Sequence, residues 1–175
     1  RALPLGASVS ISGTVYTGRD RLHRFLHDGG EAPADLRGAA IFHCGPVVVP
    51  DGAGWRVVAA GPTTSIREEP YMAGIIARHG IRMILGKGGM GPATQKACRE
   101  QGCVYVQTVG GAAAWLARCV RRVAQVWFAD EFGATEAMWA FVVEGLPGTV
   151  AIDARGESLF EAVTRESEAR LRAQL

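Results

Sequence analysis

Two adjacent hydroxyls, an arginine and a glycine-flanked lysine fall within one stretch, Gly61 to Gly91, GPTTSIREEPYMAGIIARHGIRMILGKGGMG. Thr63, Thr64 and Ser65 offer hydroxyl and backbone N–H donors just ahead of a predicted helix, and helix N-termini favour anions. Arg67 supplies a planar fork suited to a carboxylate, and Lys87 a point charge on a flexible stem. Together these groups suit a small dianion. Gly86, Gly88, Gly89 and Gly91 allow positive φ and let a ligand approach the backbone around Lys87. The plainer alternative is a tight strand-to-helix turn whose lysine points at water. The threonines can cap the following helix, yet two adjacent ones cannot easily both do so, which leaves one hydroxyl for a substrate. A phosphate loop needs Ser or Thr after its lysine. Here Gly88 follows, and G-x-G-x-x-G is not formed, so the spacing favours a carboxylate over a nucleotide.

These groups need strands and helices to hold them. Residues 7–16 alternate polar and apolar and predict a strand broken or bulged at Gly13. Thr17 and Asp20 suggest a capping box for a helix, TGRDRLHRFLHD, with Leu22, Phe25 and Leu26 as its apolar stripe. Arg19 then lies in the first turn, where the macrodipole opposes a cation, so helix stability does not explain it. His23 and His27 share that helix and, without a neighbouring carboxylate or cysteine motif, read as surface or packing residues. AAIFHCGPVVVP predicts a nearly continuous apolar strand bent at Gly45 and Pro46, and WRVVAAG a further strand leading into Thr63.

The rest alternates. EEPYMAGIIARHG predicts a helix with Pro70 in its first turn and Gly80 past its end. IRMIL and CVYVQT predict strands, and GPATQKACREQG, GGAAAWLARCVRR and SLFEAVTRESEARLRAQL predict helices. VAQVWFAD predicts a strand, and AMWAFVVEG and GTVAIDA a strand pair separated at Leu146, Pro147 and Gly148. Crossovers in the middle and hairpin-like pairing at both ends give an α/β class with a mixed sheet. Arg19, Thr63, Arg67, Lys87 and Gly110 all fall where strands end and helices begin, the usual place for binding groups in such folds.

A chain of 175 residues has the size of one domain, and 48% hydrophobic with 21% charged residues fits a globular protein. No apolar run approaches the ~20 residues of a membrane span. Arg1 is not an initiator, and nothing near it has a signal pattern, so the cytoplasm is the expected compartment. Nineteen basic and seventeen acidic side chains form no long cationic block, which excludes a nucleic-acid partner as the expectation. Cys44, Cys98, Cys103 and Cys119 have no zinc-like or iron-sulfur spacing and read as buried free thiols. Trp115, Trp127 and Trp139 are expected mostly in the core.

GPTTSIR, GKGGMG, GGAAAWLA and EFGATEAMW, in this order, together with ISGTVYTGRDRLH and TVAIDARGESLFE, closely resemble the β subunit, or C-terminal domain, of iron-sulfur class I fumarate hydratases and L(+)-tartrate dehydratases. The resemblance covers nearly the whole chain. It implies a swivelling β/β/α three-layer domain over residues 1–175 and a hydro-lyase that hydrates fumarate reversibly to malate. Tartrate dehydration, or non-catalytic binding of dicarboxylates, is the alternative. It also implies a [4Fe-4S] cluster ligated by a partner α subunit and not by this chain, a small dicarboxylate substrate, activity only with that partner, and a higher hetero-oligomer. Carried over residue by residue, Arg19, Arg67 and Lys87 match substrate-carboxylate contacts. Thr63 matches both a substrate contact and the proposed catalytic base, with Lys87 beside it in the catalytic pair. The family commonly has TTSxRM and YTARD, whereas this chain has Glu68 and Glu69 after Arg67 and Gly18 before Arg19. Glu68 is expected to pair with Arg67 and weaken its hold on substrate.

Overall fold

The computed structural model describes residues 3–174. Its frame is four parallel strands, β1 (Ser8–Gly18), β2 (Ala40–His43), β5 (Met83–Gly86) and β6 (Val104–Gln107), adjacent in that order. Helices α1 (Asp20–His27), α2 (Glu69–His79) and α3 (Pro92–Gln101) lie along the connections. Side chains alternate across the sheet, so Ile41, Ile84 and Tyr105 meet Leu22, Leu26, Met72, Ile76 and Cys98 on the helical side. Phe42, Leu85, Val104 and Val106 point to the other side, against Leu116, Trp139, Phe141 and Val143. With both faces buried, these strands read as short continuous apolar runs rather than alternating ones.

The second face is covered mainly by β-structure. Strand β8 (Met138–Ile152) pairs antiparallel with β1 along one edge, and with β7 (Val120–Trp127) and then β6 along the other. Strands β1, β2, β5, β6 and β8 thus form a closed circuit of neighbours. A separate hairpin, β3 (Val47–Asp51) with β4 (Gly54–Ala59), packs beside the short helix α4 (Ala113–Ala117). Helix α5 (Ala129–Phe132) joins β7 to β8, and α6 (Leu159–Arg172), capped by the Ser158 hydroxyl, closes the described chain. The α/β class, the mixed sheet and its layering of helices, sheet and second β-layer agree with the sequence reading. No described helix is long and apolar enough to cross a membrane.

Several local expectations are corrected. Gly45 and Pro46 end β2 rather than bend it, and the apolar residues beyond them leave for the hairpin with β4. The two strands expected around Leu146–Gly148 are one, because β8 keeps its pairing to β1 through Pro147 opposite Ser10. The irregularity expected at Gly13 is present between Ile11 and Gly13, with the extra residue on the β8 side, where Gly145 takes φ 67° and its N–H donates to Ser12 Oγ at 3.1 Å. Helix α4 stops at Ala117, and the segment from Val120 joins β7 because Val120 and Val123 face the second core. Thr17 does not cap α1. Its hydroxyl donates to the Ala137 carbonyl and accepts from the Trp139 N–H, tying β1 to β8. Trp139 is fully buried and Trp127 half-buried, but Trp115 is exposed on α4.

Candidate active site

The C-terminal ends of β1, β2, β5 and β6 form one edge, and residues 62–68 are laid across its middle. Cys44 bridges to Pro62, and the Thr63 N–H donates to the His43 carbonyl at 2.7 Å, just beyond β2. Thr64 bridges to Lys87, and the Ser65 N–H donates to the Lys87 carbonyl at 2.9 Å, just beyond β5. The Lys87 N–H returns a bond to Ser65 Oγ at 3.2 Å, which also accepts from the buried Tyr105 hydroxyl at 3.0 Å. Ser65 is therefore the pin of this crossing. Gly86 makes room for it, since a Cβ there would overlap Ser65 Oγ and stand 3.1 Å from the Tyr105 oxygen.

This crossing brings Thr63, Thr64 and Lys87 onto one ledge between β2 and β5. A 3-10 turn, Ser65–Glu68, begins after Thr64, but the Thr64 side chain makes no capping bond. No hydrogen bond engages the Thr63 hydroxyl among the described residues, so both threonine hydroxyls remain available, more than the single one expected. Lys87 is half-buried and, among the described residues, has no carboxylate at ion-pair distance. Of the four glycines near it, Gly88 and Gly89 take φ of 79° and supply the left-handed turn, whereas Gly91 has φ −87° and serves as the N-cap of α3.

Arg19 and Arg67 reach the edge from the β1 side. Arg19 is the N-cap of α1 in extended conformation, and its side chain lies over Gly45, where a Cβ would come within 2.6 Å of Arg19 Cδ. Its Nε stands 3.5 Å from Glu136 Oε1, and a terminal nitrogen stands 4.0 Å from Asp20 Oδ2. Arg67 forms a two-pronged pair with Asp20, through Nε to Oδ1 at 3.0 Å and through Nη2 to Oδ2. Burial acts to raise the Asp20 carboxyl, but the Arg67 hydrogen bond and charge prevail and hold it below its ordinary value. Donating this hydrogen bond to Asp20 in turn raises Arg67. Asp20 therefore joins the two arginines, while Thr63 and Lys87 are held beyond the neighbouring ends of β2 and β5 by the backbone contacts above.

Glu68 does not pair with Arg67 as expected. The 3-10 turn rotates it inward, where its carboxylate is fully buried 3.4 Å from His23 Nδ1. Burial, reinforced by the charge of Asp20, pushes Glu68 up to about 7, and burial presses His23 down to about 4 and His43 well below its usual range. Glu69 turns the other way and caps α3, accepting from the N–H groups of Gly91, Ala93 and Thr94 and from the Thr94 hydroxyl. Sequence reasoning did not bring Asp20 and Glu136 to the site, and of its surface or packing alternatives for His23 the structure takes packing. Only His23 left a signal, since it sits on the same side of α1 as Leu22 and Leu26.

The thiols do not converge on this ledge. Cys98 and Cys103 are buried on the helical side, Cys44 in the core behind the ledge, and Cys119 is half-buried near Gly145. Burial pushes Cys44 up to about 12, and the Cys98 hydrogen bond followed by burial raises Cys103. Cluster iron binds thiolates, so these dispersed thiols do not fit the ligand set of an iron-sulfur cluster.

The family described as Fumarase C-terminus matches residues 1–163. A protein of Geobacillus stearothermophilus, provisionally named a class I fumarate hydratase, is 48% identical over 168 residues, covering 95% of this chain and 32% of that protein. The L(+)-tartrate dehydratase subunit beta of Escherichia coli K12 is 37% identical over 157 residues, covering 89% of this chain and 78% of the subunit. A Methanocaldococcus jannaschii protein provisionally given the same subunit name is 37% identical over 171 residues, covering 95% and 88%. The chain thus spans about a third of the Geobacillus relative and most of each β subunit. From Arg1 through Val163, and with a ledge built from the residues quoted above, this chain belongs to the Fumarase C-terminus family.

Proposed function

We propose that this chain, as a single domain, is the substrate-binding half of a hydro-lyase that reversibly hydrates fumarate to malate, and that it works only when joined to a partner α subunit holding the [4Fe-4S] cluster. The observation that carries this reading is the crossing of residues 62–65 over the ends of β2 and β5, which sets the Thr63 hydroxyl and Lys87 on one ledge with Arg19 and Arg67. A surface hollow of about 620 Å³ lies away from this ledge, lined by residues such as Arg37, Arg78 and His79 beside the starts of β2 and β5, on the opposite edge of the sheet. An open cationic ledge is half of a site, and a second protein surface completes it.

On this reading Arg19 and Arg67 hold a substrate carboxylate, Arg67 through the guanidinium edge that Asp20 leaves free, and Lys87 adds a compact charge. The Thr63 hydroxyl delivers a proton to the carbon beside that carboxylate in hydration and removes it in dehydration. Removing that proton moves negative charge onto the carboxylate oxygens, where preorganised cations stabilise it. Lys87 beside Thr63 also lowers the cost of the alkoxide form. Tartrate dehydration is the second reading, favoured by the β-subunit relatives that this chain covers at most of their length.

The test is anaerobic reconstitution with the cluster-loaded α partner. The chain alone is expected to be inactive and the complex to convert fumarate to malate. Turnover of L(+)-tartrate without fumarate would select the second reading, and a cluster-loaded complex acting on neither would overturn both.

A further inference from the structure

Behind Arg19, Thr63 and Arg67 lies a buried polar cluster that the proposed reaction leaves unused. Each member sits in a segment that delivers one site residue. His23 is on the helix that Arg19 caps, the His43 carbonyl holds the Thr63 N–H, and Glu68 follows Arg67 in the 3-10 turn. All three side chains are fully buried. His23 Nδ1 donates to the Arg19 carbonyl at 2.8 Å, so it carries the proton, and it lies 3.4 Å from Glu68 Oε2. The His43 ring meets the His23 ring edge-on, with centroids 4.9 Å apart. His23 Nε2, both His43 ring nitrogens and both Glu68 oxygens have no hydrogen-bond partner among the described residues. Buried polar groups are ordinarily paired, so fold stability alone does not explain this cluster.

Resting on the reading of the ledge as a dicarboxylate site, we propose that Glu68 is a positioning residue for it: buried beside His23, whose ring packs on His43, it sets the separation of Arg67 from Arg19 and keeps the floor beneath them free of competing negative charge. Burial acts first on the state of Glu68, and the groups facing it add to or oppose that effect. Asp20 and Glu136 oppose its ionisation, Arg19 and Arg67 favour it, and His23 and His43 are neutral imidazoles in the same apolar surround. A protonated Glu68 leaves Arg67 with Asp20 as its one carboxylate partner at the edge of the ledge. An ionised one adds a second negative charge beneath it, so substrate has to compete for the guanidinium. This signature falls on KM more than on kcat.

In the reconstituted complex, KM for the dicarboxylate is expected to rise about fivefold between pH 6 and 8.5 through loss of the Glu68 proton, with kcat changing less. Glu68→Gln, which keeps the shape and cannot ionise, is expected to abolish that rise. A Glu68→Gln profile that follows the wild type would overturn the proposal. A wild-type complex that turns over neither fumarate nor tartrate defeats the underlying reading instead. Carbon-13 and nitrogen-15 NMR of the full chain then decides the Glu68 claim separately: its carboxyl carbon is expected to titrate near 7, with the Arg67 Nε–H signal following the same midpoint. A midpoint in the ordinary glutamate range, or an Arg67 signal indifferent to it, overturns the proposal.

Discussion

Glu69 turns away from the ledge and collects four hydrogen bonds at the N-terminus of α3, whereas Glu68, one residue earlier, turns into the floor behind the ledge and collects none. Residue type and sequence position are nearly the same, so the difference comes from the 3-10 turn that changes into α2 between them. At α3 a carboxylate meets free N–H groups and the positive end of a helix, both of which favour its charge. Behind the ledge the same group meets burial and the charges of Asp20 and Glu136, which favour its proton. The first carboxylate ties α2 to α3. The second does little for cohesion and bears on the arginines beside it.

Removing each carboxylate separates the two regions. Glu69→Ala orphans the N–H groups of Gly91, Ala93 and Thr94 and is expected to cost about 3 to 4 kcal/mol, lowering the thermal midpoint by about 10 °C in calorimetry. A drop under about 2 °C would remove the contrast with Glu68. The next effect is a pH slope. Glu68 is raised in the folded chain to about 7, so its contribution to stability is fully present below the ordinary value of 4.5, shrinks as pH rises, and is gone above about 7. His23, lowered to about 4, contributes in the opposite sense, with stability present above 6.5 and lost as pH falls toward 4. The two slopes oppose each other over the shared window. Glu68→Gln removes only the first, so the stability difference between wild type and variant is expected to shift by roughly 3 kcal/mol between pH 4.5 and 7.5, read from urea unfolding. A pH-independent difference would mean that Glu68 titrates normally.

Smaller effects test the pin that turns Glu68 inward. Gly86→Ala drives a methyl into Ser65 Oγ and is expected to cost about 2 kcal/mol while moving the midpoint of Glu68 toward the ordinary range. Gly88→Ala, in the same loop with φ 79° and only a 3.8 Å contact, is expected to cost about 1 kcal/mol of backbone strain and leave Glu68 alone. Equal behaviour of the two variants would show that Ser65 does not set the turn.

Much of the frame could be read from the chain because local rules and packing agree there. Pro70 and Gly80 bracket α2, with Gly80 in the left-handed region, and the short apolar runs of β2, β5 and β6 are buried on both faces. The strand-end positions of Arg19, Thr63 and Lys87 followed from the same alternation. What stayed hidden depends on distant partners. Pro147 looked like a break because its tolerance comes from β1, far away in the chain. Local spacing matches Arg67 with its neighbour Glu68, whereas Asp20, 47 residues earlier, is the carboxylate it meets. The inward turn of Glu68 depends on Ser65 being held by Tyr105 from β6, a contact no local pattern encodes.

The central claim is that this ledge is the cationic half of a working site, and Lys87→Met in the cluster-loaded complex tests it most directly, because it keeps the stem and removes the charge. The account predicts that kcat/KM for fumarate hydration falls by about a thousandfold while the thermal midpoint of the complex stays within about 2 °C. A variant with kcat/KM within about threefold of the wild type would contradict it.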